Sequence, residues 1–172
     1  MEALEAIYTR RSVRRYTGEA IGRELLEKVV RAGLYAPSAR NNQPWEFLIV
    51  TDQEKLAALS RIRPYWSMLS GAAACVIVLN CRAGYTSTTI AFSEQDCSAA
   101  AENILLAAYG AGLGGVWLGL HPLEEEQRKV RQMFAIAEDI DPFAVLSLGR
   151  PVAAVTVEKK IGEGKLHWET YP

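Results

Sequence analysis

The run Ala72-Ala73-Ala74-Cys75-Val76-Ile77-Val78-Leu79-Asn80 is almost continuously apolar. A strand with one face in solvent alternates apolar and polar residues; a run without alternation is the pattern of a strand covered on both faces. The run therefore predicts a fully buried central strand, and the other elements are read around it. Leu4, Ile7 and Tyr8 fall at helical spacing and predict a short helix over residues 2–10. Leu25, Leu26, Val29 and Val30 predict a second helix from Gly22 to Leu34, ending before Pro37. Glu46–Thr51 reads as a strand, and Thr51-Asp52-Gln53-Glu54 has the form of a capping box opening a helix to about Arg61. Ser93-Glu94-Gln95-Asp96 has the same form and opens a long helix to about Gly110, whose alanines permit close packing at a core or a subunit interface. Val116–Leu120 reads as a short strand. Pro122 and the acids Glu124 to Glu126 mark a helix start, with negative charge at the positive end of the helix dipole. Asp141-Pro142 precedes a last strand, Phe143–Leu148, and the remainder reads as extended. Helices and strands mix without strict βαβ alternation, which favours an α+β fold over a doubly wound sheet.

A chain of 172 residues fits a single domain spanning 1–172, or one half of an obligate dimer. The net charge of −1 provides no global field for nucleic acid or an anionic membrane, so any anion site has to come from local clustering. Arg10, Arg11, Arg14 and Arg15 supply such a cluster. Cys75, Cys81 and Cys97 are odd in number and lack metal-ligand spacing; free, buried thiols fit a reducing cytoplasm. His121 and His167 do not build a zinc site with them, and no metal is expected. Met1 to Arg15 lacks an apolar signal-peptide core. Ile104–Leu123 is long and uncharged, but its glycines and proline argue for a helix end, a turn and a short buried strand over a membrane span.

Three segments carry chemistry. Pro37-Ser38-Ala39-Arg40-Asn41-Asn42-Gln43-Pro44-Trp45 is a polar loop longer than most such connections, with several amides and hydroxyls between two restrictive prolines. It suits recognition of a flat heteroaromatic ring; alternatively Asn41 and Gln43 brace the loop itself. In the second segment, Arg10 and Arg14 stand four apart and share one face if helix geometry persists. Guanidinium groups match phosphate oxygens with charge-assisted bonds, although cations also favour a helix C-terminus. In the third, Gly110-Ala111-Gly112-Leu113-Gly114-Gly115 satisfies G-x-G-x-x-G, but it follows a helix and precedes a strand. That order is the reverse of a dinucleotide fingerprint, so the glycines read as a helix C-cap and a tight turn.

Taken together, Arg-Arg-Ser-Val-Arg at 10–14, Ala-Pro-Ser-Ala-Arg-Asn-Asn-Gln-Pro-Trp at 36–45, Gln95-Asp96 through Asn103, and Gly112 through Gly119 resemble the nitroreductase family of FMN-dependent oxidoreductases. The resemblance implies a mainly antiparallel sheet flanked by helices, in an intertwined homodimer with exchanged C-terminal tails. It implies FMN contacts from Arg10, Ser12 and Arg14, with Arg11 beside them, and from the partner's loop at Pro37, Ser38, Ala39, Asn41 and Gln43. The backbone at Trp117, Leu118 and Gly119 would face flavin N5, and Lys160, with Lys159 assisting, would complete the phosphate site unless these form a solvated basic tail. Leu118 stands where some members have Glu, and Ala39 where the family often has Ser. The implied activity passes hydride from NAD(P)H through the flavin to a nitroaromatic, quinone or similar small acceptor in alternating half-reactions. Residues 82–92 are the candidate substrate-facing wall. Rival readings are a flavin-binding module without turnover and a specialised flavin-destroying or dehalogenating relative; a nucleic-acid role is disfavoured by the charge.

Overall fold

The structure, a computed structural model, describes residues 2–82, 91–154, 156 and 164–171. Helix α1 (Ala3–Thr9) leads into an extended arm, then α2 (Arg23–Arg31), strand β1 (Trp45–Val50), α3 (Gln53–Ser60), a 3-10 segment (Pro64–Gly71) and β2 (Ala74–Cys81). After these come α4 (Ser93–Gly110), β3 (Gly114–Gly119), α5 (Glu124–Phe134) and β4 (Ile140–Gly149). The four strands form one sheet in the order β1-β2-β4-β3, every pair antiparallel. The expected α+β architecture with an antiparallel sheet is what forms.

Strand β2 is central and covered on both faces, as its unbroken apolar run predicts. Ala74, Val76 and Val78 join a core with Ala144, Leu146 and Leu148 of β4, closed by α2 and α4. Cys75, Ile77 and Leu79 join a second core with Val145, closed by Leu56 and Leu59 of α3, Trp66 and Leu69 of the 3-10 segment, and Val130 of α5. The period of two along each strand thus sorts residues between two layers. Cys75 and Cys97 are buried free thiols and Cys81 is half-buried.

Several boundaries differ from the pattern reading. Helix α2 stops at Arg31 and tightens into a 3-10 turn, Ala32–Tyr35. Gly33 there lies so close to β1 that an added Cβ would meet Phe47 at 2.7 Å. The box at Thr51 is replaced by a simpler cap, in which the Lys55 N–H donates to Asp52 Oδ1 at 3.0 Å. Phe92, not Ser93, takes the N-cap position: Ser93 is buried inside the first turn of α4, and its Oγ accepts from Asn80 Nδ2 at 3.0 Å. Strand β4 begins before Pro142, which the sheet accommodates where the β2–β4 register shifts between Val78 and Leu79.

The glycine-rich stretch acts as a helix terminator. Gly112 has φ +77°, its N–H donates to Tyr109 O at 3.0 Å, and the Leu113 N–H donates to Ala108 O at 2.9 Å. These bonds satisfy the last carbonyls of α4 in a Schellman arrangement, which excludes the dinucleotide reading. No helix among the described residues is long and apolar enough to cross a membrane.

Candidate active site

The site is built on the outer edge of β3. β4 covers one side of this strand, and the N-terminal arm lies along the first part of the other. The Val13 N–H donates to Gly115 O at 3.0 Å, and Ser12 forms a parallel bridge with Gly115. Further along, the Thr17 N–H donates to Arg150 O at 2.9 Å, and Tyr16 Oη donates to Val13 O at 2.7 Å. Two glycines make room for this arm: a Cβ on Gly114 would meet Val13 at 2.7 Å, and one on Gly149 would meet the Tyr16 ring at 2.6 Å. Burial pushes the Tyr16 phenol up to about 12.

The arm corrects one expectation. Helix α1 ends at Thr9, and Arg10 already has φ −55° and ψ 135°, so helical spacing does not relate Arg10 to Arg14. In the arm, Val13 is buried between exposed Ser12 and Arg14. Alternation in an extended chain then puts Ser12 and Arg14 on one side, opposite Val13. Arg10 Nε donates to Glu102 Oε1 of α4 at 3.1 Å, which leaves the guanidinium's terminal nitrogens out of that bond. Arg11 is differently used: its Nη1 donates to the carbonyls of Tyr8 and Arg10 at 2.9 and 2.7 Å, closing the end of α1.

Beyond Gly115 the edge of β3 opens into a cleft of about 660 Å³, lined by Trp117, Leu118 and Gly119, with Arg14 from the arm and Arg63 and Met68 from the 3-10 region. That volume is typical of small-molecule sites. The sheet geometry fixes which backbone groups face it. A strand residue turns its N–H and C=O to the same side, and the Gly115 carbonyl reaches outward to Val13. By parity Trp117 and Gly119 present their backbone groups to the cleft, whereas Leu118 turns its own to Val145 in β4 and buries its side chain in the second core. Among the implied backbone donors, Gly119 and Trp117 are therefore the ones on the open edge.

At the far end of β3, His121 closes the cleft. Its N–H donates to Phe143 O at 2.8 Å, its ring stacks on Phe143 at 6.0 Å, and its Nε2 lies 3.1 Å from Glu94 Oε1. A chain of charges continues behind it, with Arg82 3.0 Å from Asp141 Oδ2 and Arg131 3.2 Å from Asp141 Oδ1. Arg63 and Met68 escaped the sequence reading, which weighed His121 as a metal ligand and not as a wall of this cleft. The only available signals were Arg63 preceding Pro64 and His121 standing two residues past Gly119 on the strand's continuation.

The polar loop does not line this cleft within the same chain. Its Arg40, Asn41 and Gln43 all adopt positive φ. Gln43 Nε2 donates to Asn41 Oδ1 at 2.8 Å and the Gln43 N–H donates to Ser38 Oγ at 3.0 Å, so these side chains brace the loop, as one of the two readings held. Pro37 and Ala39 begin it, and the Ala39 N–H donates to Asp96 Oδ1 of α4 at 3.0 Å. Lys159 and Lys160, and most of the 82–92 segment, lie outside the described residues.

The residues present fit a flavin mononucleotide. Arg14, with Ser12 beside it, is a cation-and-hydroxyl pair for a phosphate; the open edge at Trp117 and Gly119 supplies a donor and acceptor row for a ring edge; Met68 and Pro64 supply apolar surface. A family model described as the Nitroreductase family matches residues 7–150. A protein of Archaeoglobus fulgidus, with the provisional name NADH dehydrogenase/NAD(P)H nitroreductase, is 44% identical over 150 residues, covering 87% of this chain and 86% of its own. The NADPH-flavin oxidoreductase of Vibrio harveyi is 28% identical over 159 residues, covering 86% of this chain and 65% of its own. A crystal structure of a Parabacteroides distasonis protein with the same provisional name superposes with a TM-score of 0.91 at 33% identity, covering 98% of both chains. With the edge strand, the arm and the antiparallel sheet arranged as described, these matches establish that the chain belongs to the nitroreductase family.

Proposed function

We propose that this protein is an FMN-dependent oxidoreductase that takes reducing equivalents from NAD(P)H and passes them to a nitroaromatic, quinone or similar small acceptor. The two half-reactions use one cleft in turn, and the working unit is a homodimer with the flavin at the subunit interface and the C-terminal tails exchanged. The observation that carries this reading is the meeting of Arg14 with the Trp117–Gly119 edge of β3, unpaired among the described residues, in one cleft. The name of the Vibrio harveyi relative, a flavin oxidoreductase using NADPH, supports the same chemistry.

When bound, FMN supplies the hydride-accepting and hydride-donating centre. The chain supplies the rest. Arg14, with the terminal nitrogens of Arg10, would offset the phosphate charge, and the Ser12 hydroxyl would donate to a phosphate oxygen. With FMN bound, the Gly119 N–H would be the donor offered to the ring edge, stabilising polarity changes there without offering a competing base. The loop 37–43 of the partner subunit would cover the opposite edge of the ring, and Lys159 and Lys160, which lie outside the described residues, are the further cations proposed for the phosphate.

The test is a visible spectrum of the purified protein, then anaerobic addition of NADH and of NADPH. An oxidised-flavin spectrum that bleaches, and that recovers with a quinone, is expected. A colourless protein that refuses added FMN overturns the proposal. A flavin that neither nicotinamide bleaches leaves only a binding module.

A further inference from the structure

The loop that carries Ser38, Asn41 and Gln43 holds an improbable backbone. Arg40, Asn41 and Gln43 have φ of 53°, 58° and 50°, the left-handed region that disfavours residues bearing a Cβ. Conformations of this kind persist only where the surroundings over-determine them, and they cluster where function needs a fixed shape. Inside the loop the bonds from Gln43 to Ser38 and Asn41 do part of this work. At its far end the Cys81 N–H donates to Pro44 O at 2.7 Å, pinning it to the sheet. At its near end the contact with the helical layer is the bond from the Ala39 N–H to Asp96 Oδ1.

Asp96 is an unusual residue to find there. It is 7% exposed, it sits in the first turn of α4, and its second carboxylate oxygen is buried with no partner among the described residues. Leaving a buried carboxylate oxygen unpaired is costly, so filling space does not explain a carboxylate at this position. The bond to the loop does. α4 is a rigid support for it, because the adjacent Cys97, Ala100 and Ala101 are fully buried in the first core.

We propose that Asp96 is a positioning residue for the flavin: by fixing the Ala39 N–H to α4, it holds the turn 40–43, with its left-handed Arg40, Asn41 and Gln43, in the shape that meets the ring. Asp96 itself touches no cofactor. The inference rests on the reading of loop 37–43 as a flavin-covering element.

The experiment compares full-length Asp96→Ala, Asp96→Asn and Asn41→Ala proteins by FMN titration of the apoprotein, visible circular dichroism of bound flavin, and apoprotein melting. Asp96→Ala is expected to weaken FMN about tenfold and alter the dichroism. Asp96→Asn keeps an oxygen for Ala39 and is expected to restore both to within about twofold. If Asp96→Ala binds FMN like the wild type while Asn41→Ala does not, the loop reading stands and the role of Asp96 is lost. If neither variant changes flavin binding, the loop reading fails and the proposal with it. If both Asp96 variants lose affinity and apoprotein stability together, Asp96 only packs the core, and the proposal is overturned.

Discussion

Gly114 has no room for a side chain, because Val13 occupies the place where a Cβ would stand. The arm that carries Ser12 and Arg14 is seated by that contact, so Gly114→Ala should lift it off β3. The expected outcome is FMN affinity reduced at least about tenfold with the remainder of the fold intact, read by flavin titration and circular dichroism. Gly71→Ala is the matched control, since a Cβ there meets nothing within 4 Å and the site is not involved. Equal flavin affinity in both variants would show that the arm does not position the phosphate ligands. A second consequence at this scale concerns the thiols. Burial pushes Cys75 and Cys97 up to about 12 and Cys81 up to about 11, each from an ordinary value of 9.0. A raised acid is protonated in the folded state, so its contribution to stability is complete below about pH 9 and is lost as pH rises from 9 toward 11–12. Tyr16, raised from 10.0 to about 12, adds to the loss in the upper part of that window. The melting temperature should therefore be flat between about pH 7 and 8.5 and fall above 9. In native protein at pH 8.5, iodoacetamide should leave Cys75 and Cys97 unmodified; rapid alkylation of either would contradict their placement in the core.

At the scale of elements, β3 joins fold to chemistry because it is an edge strand only half covered by the arm. Parity makes a sharp distinction between neighbours on it. Gly119 turns its N–H to the cleft, whereas Leu118 turns its own into the ladder with Val145. Proline is tolerated on an edge where the lost N–H faced outward and is damaging where it belonged to the ladder. Gly119→Pro should thus fold, with a melting temperature near that of the wild type, while flavin reduction by NAD(P)H slows about 100-fold. Leu118→Pro should instead lose at least about 3 kcal/mol of stability, from the broken ladder bond and the emptied core position together. The reverse ranking in a melting and stopped-flow comparison would refute the parity argument. The same strand shows what a sequence can and cannot reveal. The run at β2, the alanine-rich helix α4 and the glycine stop after it were legible because burial on two faces and a helix end each impose a local pattern. Pro64–Gly71 was not: a 3-10 segment has neither a period of two nor one of 3.6, and Arg63 and Met68, which line the cleft, went unnoticed with it. The helix caps were half legible, since four polar residues in a row offer several capping registers, and packing chose among them by burying Ser93.

For the whole molecule, two features of one copy stand out. Leu4, Ile7 and Tyr8 of α1 are 62%, 54% and 68% exposed, and Leu166, Trp168 and Tyr171 of the tail are 87%, 84% and 85% exposed. Grouped exposed apolar residues of this size mark interaction surfaces. The loop 37–43, which resembles a flavin-covering element, also lies away from the cleft of its own chain. In the proposed homodimer these surfaces are satisfied between subunits, which no local sequence pattern reveals. The proposed homodimer makes a prediction that neither a monomer nor a side-by-side dimer shares. If each flavin is held by Arg14 of one subunit and the loop of the other, then Arg14→Ala and the double variant Asn41→Ala/Gln43→Ala should each lose tight FMN binding as homodimers. Subunits of the two kinds, unfolded together and refolded, form mixed dimers in which one site collects both defects and the other collects none. Each mixed dimer should then bind one FMN tightly and recover about half the wild-type NAD(P)H oxidation. If the loop and Arg14 instead served a flavin in the same chain, every site in the mixture would carry one defect. The mixed dimers would remain as empty as their parents, and the shared-site architecture would have to be abandoned.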